Sequence, residues 1–211
     1  MARYTGPVCR LCRRNGTKLF LKGERCFTPR CAVERRKSPP GEQSPQARRR
    51  RPSEHAERLR EKQKVRNVYG VLERQFRTYM QKAGRMPGVS GLNLMQFLER
   101  RLDNVVYRLG FSDSRQQARQ WVGHGHLQVN GRRVSIPSFL VKEGDVVTWR
   151  EESKKSEMFK TVSESLRKRR VPGWLTVDES QVKGTIVTLP DEQELDASID
   201  TRLIVEFYSR R

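Results

Sequence analysis

Cys9, Cys12, Cys26 and Cys31 are all the cysteines of the chain, paired as C-x2-C and C-x4-C with 13 residues between. Two short chelate loops joined by a longer one are how a chain wraps a tetrahedral ion. Thiolates in fours select zinc, less often an iron–sulfur cluster. Arg10, Arg13, Arg14, Lys22, Arg25 and Arg30 stand among the thiols. Cations favour thiolate over thiol, and they offset the excess negative charge of zinc on four sulfurs. The reading is one structural Zn2+ on four thiolates, with no open position for catalysis. Such binding contributes on the order of 10 kcal/mol to folding. Two disulfides need an oxidising compartment, and a redox C-x-x-C sits beside a βαβ unit; neither context is visible.

Two other groups invite chemistry. His124 and His126 flank Gly125, but four cysteines already form a complete ligand set, so the histidines read as contacts to a partner or as turn packing. Asp103, in "RLDNV", reads as a partner for a nearby arginine or helix end rather than as a catalytic acid. Residues 150–211 hold no nucleophile–base constellation, and the chain is expected not to be an enzyme.

Charge names the partner class. With 44 Lys/Arg against 24 Asp/Glu, the net charge is +20 and the pI about 10.6. That field exceeds what solubility needs and attracts a polyanion, usually nucleic acid. Residues 1–52 hold 15 Lys/Arg against 3 Asp/Glu, a basic arm ahead of better-balanced segments. No apolar run is long enough to span a membrane, and "MARYTGPVCRLCRR" has no apolar signal region. The expectation is a cytoplasmic protein with reduced thiols and no membrane or small-molecule partner.

These residues must be positioned by elements the pattern foretells. "KSPPGEQSPQARRRRPS" is a linker whose Arg48–Arg51 run tracks phosphates or simply faces water. A helix starts at Ser53 and ends by Gly70; a second carries Leu72, Phe76, Tyr79 and Met80 as its apolar stripe. Met95, Leu98, Leu102, Val105 and Leu109 recur at 3-4 spacing in one strongly amphipathic helical region. Phe97 and Tyr107 read as core rather than as base-stacking groups. Ser114 caps a helix reaching about Gly123, with Ala118, Trp121 and Val122 on its apolar side and Arg115 and Arg119 together on another. Leu127 and Val129 alternate as a strand, Asn130-Gly131 is a turn signal, and Arg132 and Arg133 follow. A further helix spans "KKSEMFKTVSESLRKRR", with strands near Leu175–Val177 and Thr185–Leu189. Basic helix, glycine turn and basic hairpin together would make one positive, concave surface.

"RLDNVVYRLGF…SRQQARQWVGHGHLQVNGRRVSIPSFLVKEGD" resembles the RNA-binding module named after bacterial ribosomal protein S-four. The flanks "RYTGPVCRLCRR", "REKQKVRNVYGVLERQFRTY" and "LIVEFYSRR" extend the resemblance to the S-four family over essentially the whole chain, in its zinc-bearing four-cysteine version. One departure is Pro40-Gly41-Glu42-Gln43-Ser44, where relatives often carry Pro-Gly-Gln-His-Gly; any contact of that histidine does not transfer.

The resemblance implies a primary binder of small-subunit rRNA that nucleates assembly at a 5′-domain helix junction. It also implies a place at the mRNA entrance beside ribosomal protein S-five, with S-three nearby, and a part in translational accuracy; by alignment Arg48–Arg51 would meet incoming message. A junction is read through shape, 2′-hydroxyls and phosphates, and the aromatic content of 8% offers no stacking platform of the RNP kind. The candidate RNA contacts are Arg3, Arg10, Arg13, Arg14, Arg48, Arg49, Arg50, Arg51, Arg58, Lys62, Arg66, Arg74, Arg115, Gln116, Arg119, His124, His126, Asn130, Arg132 and Arg133. Alanine at Arg115, Arg119 or Arg132 is expected to weaken binding. Rival readings are an S-four-module factor acting on ribosomes outside the mature subunit, a pseudouridine synthase and a zinc-containing DNA regulator. Residues 150–211 are too few for an appended catalytic domain, and no groove-reading motif is seen.

The expected class is α+β: a mainly helical N-terminal lobe with a zinc-bound arm, then a domain with a small mixed sheet. The boundaries expected are 1–46 for the arm, 47–98 for the helices packed with 198–211, and 99–197 for the RNA-binding domain, its module at about 99–149.

Overall fold

The computed structural model describes residues 4–36, 38–41, 52–166 and 170–209. It is α+β and divides into two compact units, one of residues 1–93 with 197–211 and one of residues 94–196.

The first unit begins with α1 (Cys9–Asn15), a 3-10 turn (Gly23–Phe27) and α2 (Ala32–Arg35). Next comes α3 (Glu54–Val68), capped as its sequence requires: the Ser53 hydroxyl accepts from the Ala56 amide at 3.3 Å. Its acidic first turn and basic last turn suit the helix dipole. Helix α4 (Glu73–Arg85) buries Phe76, Tyr79 and Ala83. The expected stripe is corrected at two places. Leu72 is the extended N-cap residue and 41% exposed, and Met80 is only half-buried; Ala83 continues the buried face instead. The C-terminal α10 (Thr201–Ser209) packs on α3, burying Ile204 and Phe207. Val65, Val68, Tyr69 and Val71 are buried in the same unit, and ion pairs run between its helices.

The amphipathic helical region expected across 92–111 consists of two helices. α5 (Ser90–Glu99) stops and α6 (Leu102–Arg108) restarts after an extended Arg101. All five apolar positions are nonetheless buried. The cause of the break is long-range: Arg101 bridges to Leu140, and the amides of Leu102 and Asp103 donate to the carbonyls of Phe139 and Pro137. α7 (Arg115–His124) then packs on α6.

Strands β1 (Leu127–Val129), β2 (Arg132–Arg133), β3 (Val146–Trp149), β4 (Leu175–Asp178) and β5 (Lys183–Ile186) form one sheet in the order β2-β1-β3-β5-β4. Every pairing is antiparallel, where a mixed sheet was expected. Parallel neighbours need crossovers of a dozen or more residues, and β1–β2 and β4–β5 are joined by short turns. β5 lies at 183–186, N-terminal to the expected 185–189. Leu127 faces Trp149 and Val129 faces Val147 across β1 and β3. These four buried side chains meet Leu102, Val105, Ala118 and Trp121 of α6 and α7 in one core. The helix expected across 154–170 is short α8 (Glu151–Lys154) and α9 (Glu157–Leu166), with 167–169 outside the described residues. Buried Ser153 lies in α8 just ahead of the break; its hydroxyl meets His126 and its carbonyl accepts from the Ser156 hydroxyl at 2.6 Å.

Candidate RNA interface and cysteine cluster

In the second unit, α7 is placed by Ser114, whose hydroxyl accepts from the Gln117 amide at 3.3 Å. The helix ends at Gly125, which adopts φ 75°. A side chain there would be strained, and its Cβ would stand 2.3 Å from Nε of Arg133. The guanidinium of Arg133 therefore lies against the turn, tying the β2 arginine to the end of α7. Asn130 and Gly131 have φ 50° and 75°, the paired positive values of a type I′ hairpin turn.

Beneath this surface lies a buried polar network. Glu99 takes two hydrogen bonds from Arg108, at 3.0 and 2.7 Å, and one at 2.7 Å from Asn104. Asn104 Oδ1 accepts from Nε of Arg115 at 2.7 Å, and the Arg115 guanidinium lies 4.5 Å over the Tyr107 ring. Asp103 receives both Nε and Nη2 of the fully buried Arg101, at 3.0 and 2.6 Å, and Nη1 of Arg119 at 3.1 Å. Asp103 thus pairs with arginines, as its sequence context implies. Arg115 and Arg119 do share a face, but part of their charge is spent inward, where free phosphate ligands were expected.

Other candidates separate in the same way. Gln116, His124, Arg132 and Arg133 are exposed. Asn130 is exposed too, but its amide spans the hairpin: Nδ2 donates to Asp145 at 2.8 Å and Oδ1 accepts from the Val146 amide at 2.9 Å. His126 is half-buried, with Nδ1 3.0 Å from the Ser153 hydroxyl. Burial, then the nearby charges of His124, Arg150 and Arg133, push its pKa below the ordinary histidine value. His124 and His126 have ring centroids 5.9 Å apart.

In the first unit the expected row of free cations on α3 is corrected. Lys62 is 3% exposed, donates to Glu73 at 2.8 Å, and lies 4.7 Å over the Phe207 ring. Arg58 joins Glu54 at 2.8 Å and Glu206 at 2.7 Å. Arg66 reaches Glu73 at 3.2 Å, and the Tyr208 hydroxyl donates to Glu73 at 2.8 Å. Burial alone would raise the Glu73 pKa, but Lys62, Tyr208 and Arg66 outweigh it and hold the carboxyl below its ordinary value. Arg13 donates to the carbonyls of Ser38 and Pro39, at 3.0 and 3.2 Å. Arg10, Arg14 and Arg74 remain exposed. Arg3, Arg48, Arg49, Arg50 and Arg51 lie outside the described residues. Sequence reasoning missed Glu73, Glu99 and Asn104; no local pattern marks them, because their partners come from other helices.

The cysteines share one small pocket with Lys22, Arg25, Ala32 and Val33. Cys12, Cys26 and Cys31 are buried and all four are unbridged. The Lys22 amide points at the sulfur of Cys26, 3.4 Å away. Burial raises the Cys12 pKa; a bond from the Leu19 backbone opposes this, and neighbouring Cys26, Cys9 and Cys31 add to the rise. The donor set is all sulfur, yet among the described residues no group of three or more His, Cys, Asp or Glu stands in a ligating arrangement.

A family model described as "Ribosomal protein S4/S9 N-terminal domain" matches residues 3–99, and one described as "S4 domain" matches residues 100–147. Helices α6 and α7, the glycine turn and the basic hairpin are therefore an S4 domain. The chain is 54% identical to small ribosomal subunit protein uS4 of Halothermothrix orenii over 210 residues and 56% to uS4A of Symbiobacterium thermophilum. It is 53% identical to the uS4 of Thermus thermophilus, and each of these alignments covers 100% of both chains. The chain belongs to the uS4 family of small ribosomal subunit proteins.

Proposed function

We propose that the protein is a structural constituent of the small ribosomal subunit, not an enzyme, and binds small-subunit rRNA as an early, primary ligand at a helix junction of the 5′ domain. The observation that carries this is the outward surface of α7, the turn and the β1–β2 hairpin. There Gln116, His124, Arg132 and Arg133 face solvent on a scaffold whose own carboxylates are already engaged. Cations so displayed neutralise phosphates, and a rigid positive surface suits the shape of folded RNA. Full-length relatives named as small-subunit proteins favour this over a factor acting outside the mature subunit. Placement at the mRNA entrance beside S-five and S-three, a part in accuracy, and Arg48–Arg51 as message contacts extend the same reading. So does its setting, the cytoplasm. No helix among the described residues is long and apolar enough to cross a membrane.

The reading includes one zinc ion held by Cys9, Cys12, Cys26 and Cys31. The support is the shared pocket of four sulfurs, where each thiolate makes the next costlier unless a cation joins them. When bound, the ion would link Cys9 and Cys12 of α1, Cys26 of the 3-10 turn and Cys31 at the start of α2, in a structural and not a catalytic part. Chemical footprinting of 5′-domain RNA, with and without chelator, tests both elements. Protection at a helix junction supports the RNA assignment, and its weakening with loss of one equivalent of zinc supports the metal. No protection refutes the first, and metal-free reduced protein with an ordered arm refutes the second.

A further inference from the structure

We propose that Phe20 and Phe27 form a stacking site for an unpaired base of the RNA, an inference that rests on the rRNA-binding reading above. The two rings stack on each other with centroids 4.9 Å apart and planes 27° from parallel. Neither ring is in the core: Phe27 is 72% exposed and Phe20 37%. Leu19 and Leu21, on either side of Phe20, are buried, so the chain had apolar residues to bury and turned the aromatic ones out.

The backbone agrees. Phe20 has φ 51°, a left-handed conformation that a bulky side chain adopts only under constraint. Such strain gathers where a side chain is held for a ligand. Phe27 ends the 3-10 turn that carries Cys26, and the stretch just ahead of Phe20 follows α1. The pair therefore sits on the cysteine-bearing segment, fixed by the same short elements.

Charge chooses the occupant. Residues 18–30 carry Lys18, Lys22, Arg25 and Arg30 against Glu24 alone. Lys18 is paired with Glu34, while Lys22, Arg25 and Arg30 are exposed. An exposed aromatic pair on so cation-rich a segment fits a base whose phosphates lie alongside, because every base offers a π-face and a charged backbone. An apolar protein partner would leave those cations facing a surface with nothing to neutralise them. The aromatic content of the chain gives no hint of this; only the outward pairing of two rings seven residues apart does.

The test uses full-length protein and a 5′-domain transcript, with affinity measured across a salt series. Phe27→Ala and Phe27→Leu should each lose about 5- to 150-fold in affinity, the range of one base–aromatic stack. Their salt slope should match the unmodified protein, since no charge is removed, and Phe27→Tyr should bind normally. In base-specific footprinting, one nucleotide should become reactive in Phe27→Ala while its neighbours stay protected. Phe27 is exposed, so the variants should melt with the parent protein. If Phe27→Leu binds like the parent, the site is generic apolar contact and the inference falls. It also falls if RNA binding is unchanged while incorporation into subunits fails, since the patch then meets protein. If the unmodified protein does not bind the transcript, the rRNA reading itself has failed.

Discussion

Replacing Asp103 with Asn should damage the protein more than replacing either of its arginines. Asp103 is buried and accepts two hydrogen bonds from Arg101, itself 0% exposed, and one from Arg119. Asp103→Asn keeps the shape but removes the carboxylate charge that faces a fully buried guanidinium. Breaking a buried pair from one side costs about 3–5 kcal/mol, against a typical total of about 5–15 kcal/mol. Arg119→Ala leaves the Arg101–Asp103 pair intact and should cost about 1 kcal/mol, the value of a partly exposed partner. Arg101→Met leaves Asp103 with Arg119 and should fall between. The double variant Arg101→Met, Asp103→Leu should recover much of the loss, because apolar replacement of a buried pair is often neutral. Urea unfolding followed by fluorescence of Trp121 and Trp149, both in this core, reads the series. Equal midpoints for Asp103→Asn and Arg119→Ala would refute the reasoning, since the pair would then carry no special burden.

Further outcomes follow from the same geometry. Arg132→Ala with Arg133→Ala should lower the salt slope of RNA binding by about 2, roughly one per phosphate contact, whereas Lys62→Met should leave the slope unchanged and lower the melting temperature. Glu73 has a depressed pKa, so its contribution is present above its ordinary value of 4.5 and lost as pH falls through the folded value. Acid unfolding of the parent should therefore steepen below about pH 4.5, and Glu73→Gln should flatten that limb. Gly125→Ala places an L-residue at φ 75° and displaces the Arg133 guanidinium. It should cost about 1–2 kcal/mol in calorimetry and weaken RNA binding beyond what the lower stability explains.

Much of this is legible in the sequence where the cause is local. Ser53 and Ser114 announce the helices they cap, and Asn130-Gly131 announces its turn, because each acts within three or four residues. The break at Arg101 is invisible for the opposite reason. The 3-4 apolar spacing continues across it, and what interrupts the helix is a bridge to Leu140. The direction of the cations is hidden in the same way. Arg58 meets Glu206 and Tyr208 meets Glu73, partners more than a hundred residues apart. A row of Lys and Arg on α3 reads as a solvated or phosphate-facing row until α10 arrives to claim Arg58 and Lys62. Arg132 and Arg133 of the β1–β2 hairpin, by contrast, are exposed, as their place after the Asn130-Gly131 turn suggests.

The central claim is that outward cations on a preformed surface take up folded small-subunit RNA. Its most direct test is the affinity of the full-length protein for a 5′-domain transcript, measured from low to moderate salt beside a duplex DNA of equal length. The logarithm of affinity should fall linearly with the logarithm of salt concentration, with the transcript bound far more tightly than the duplex throughout. Equal affinity for the two, or binding insensitive to salt, would contradict it.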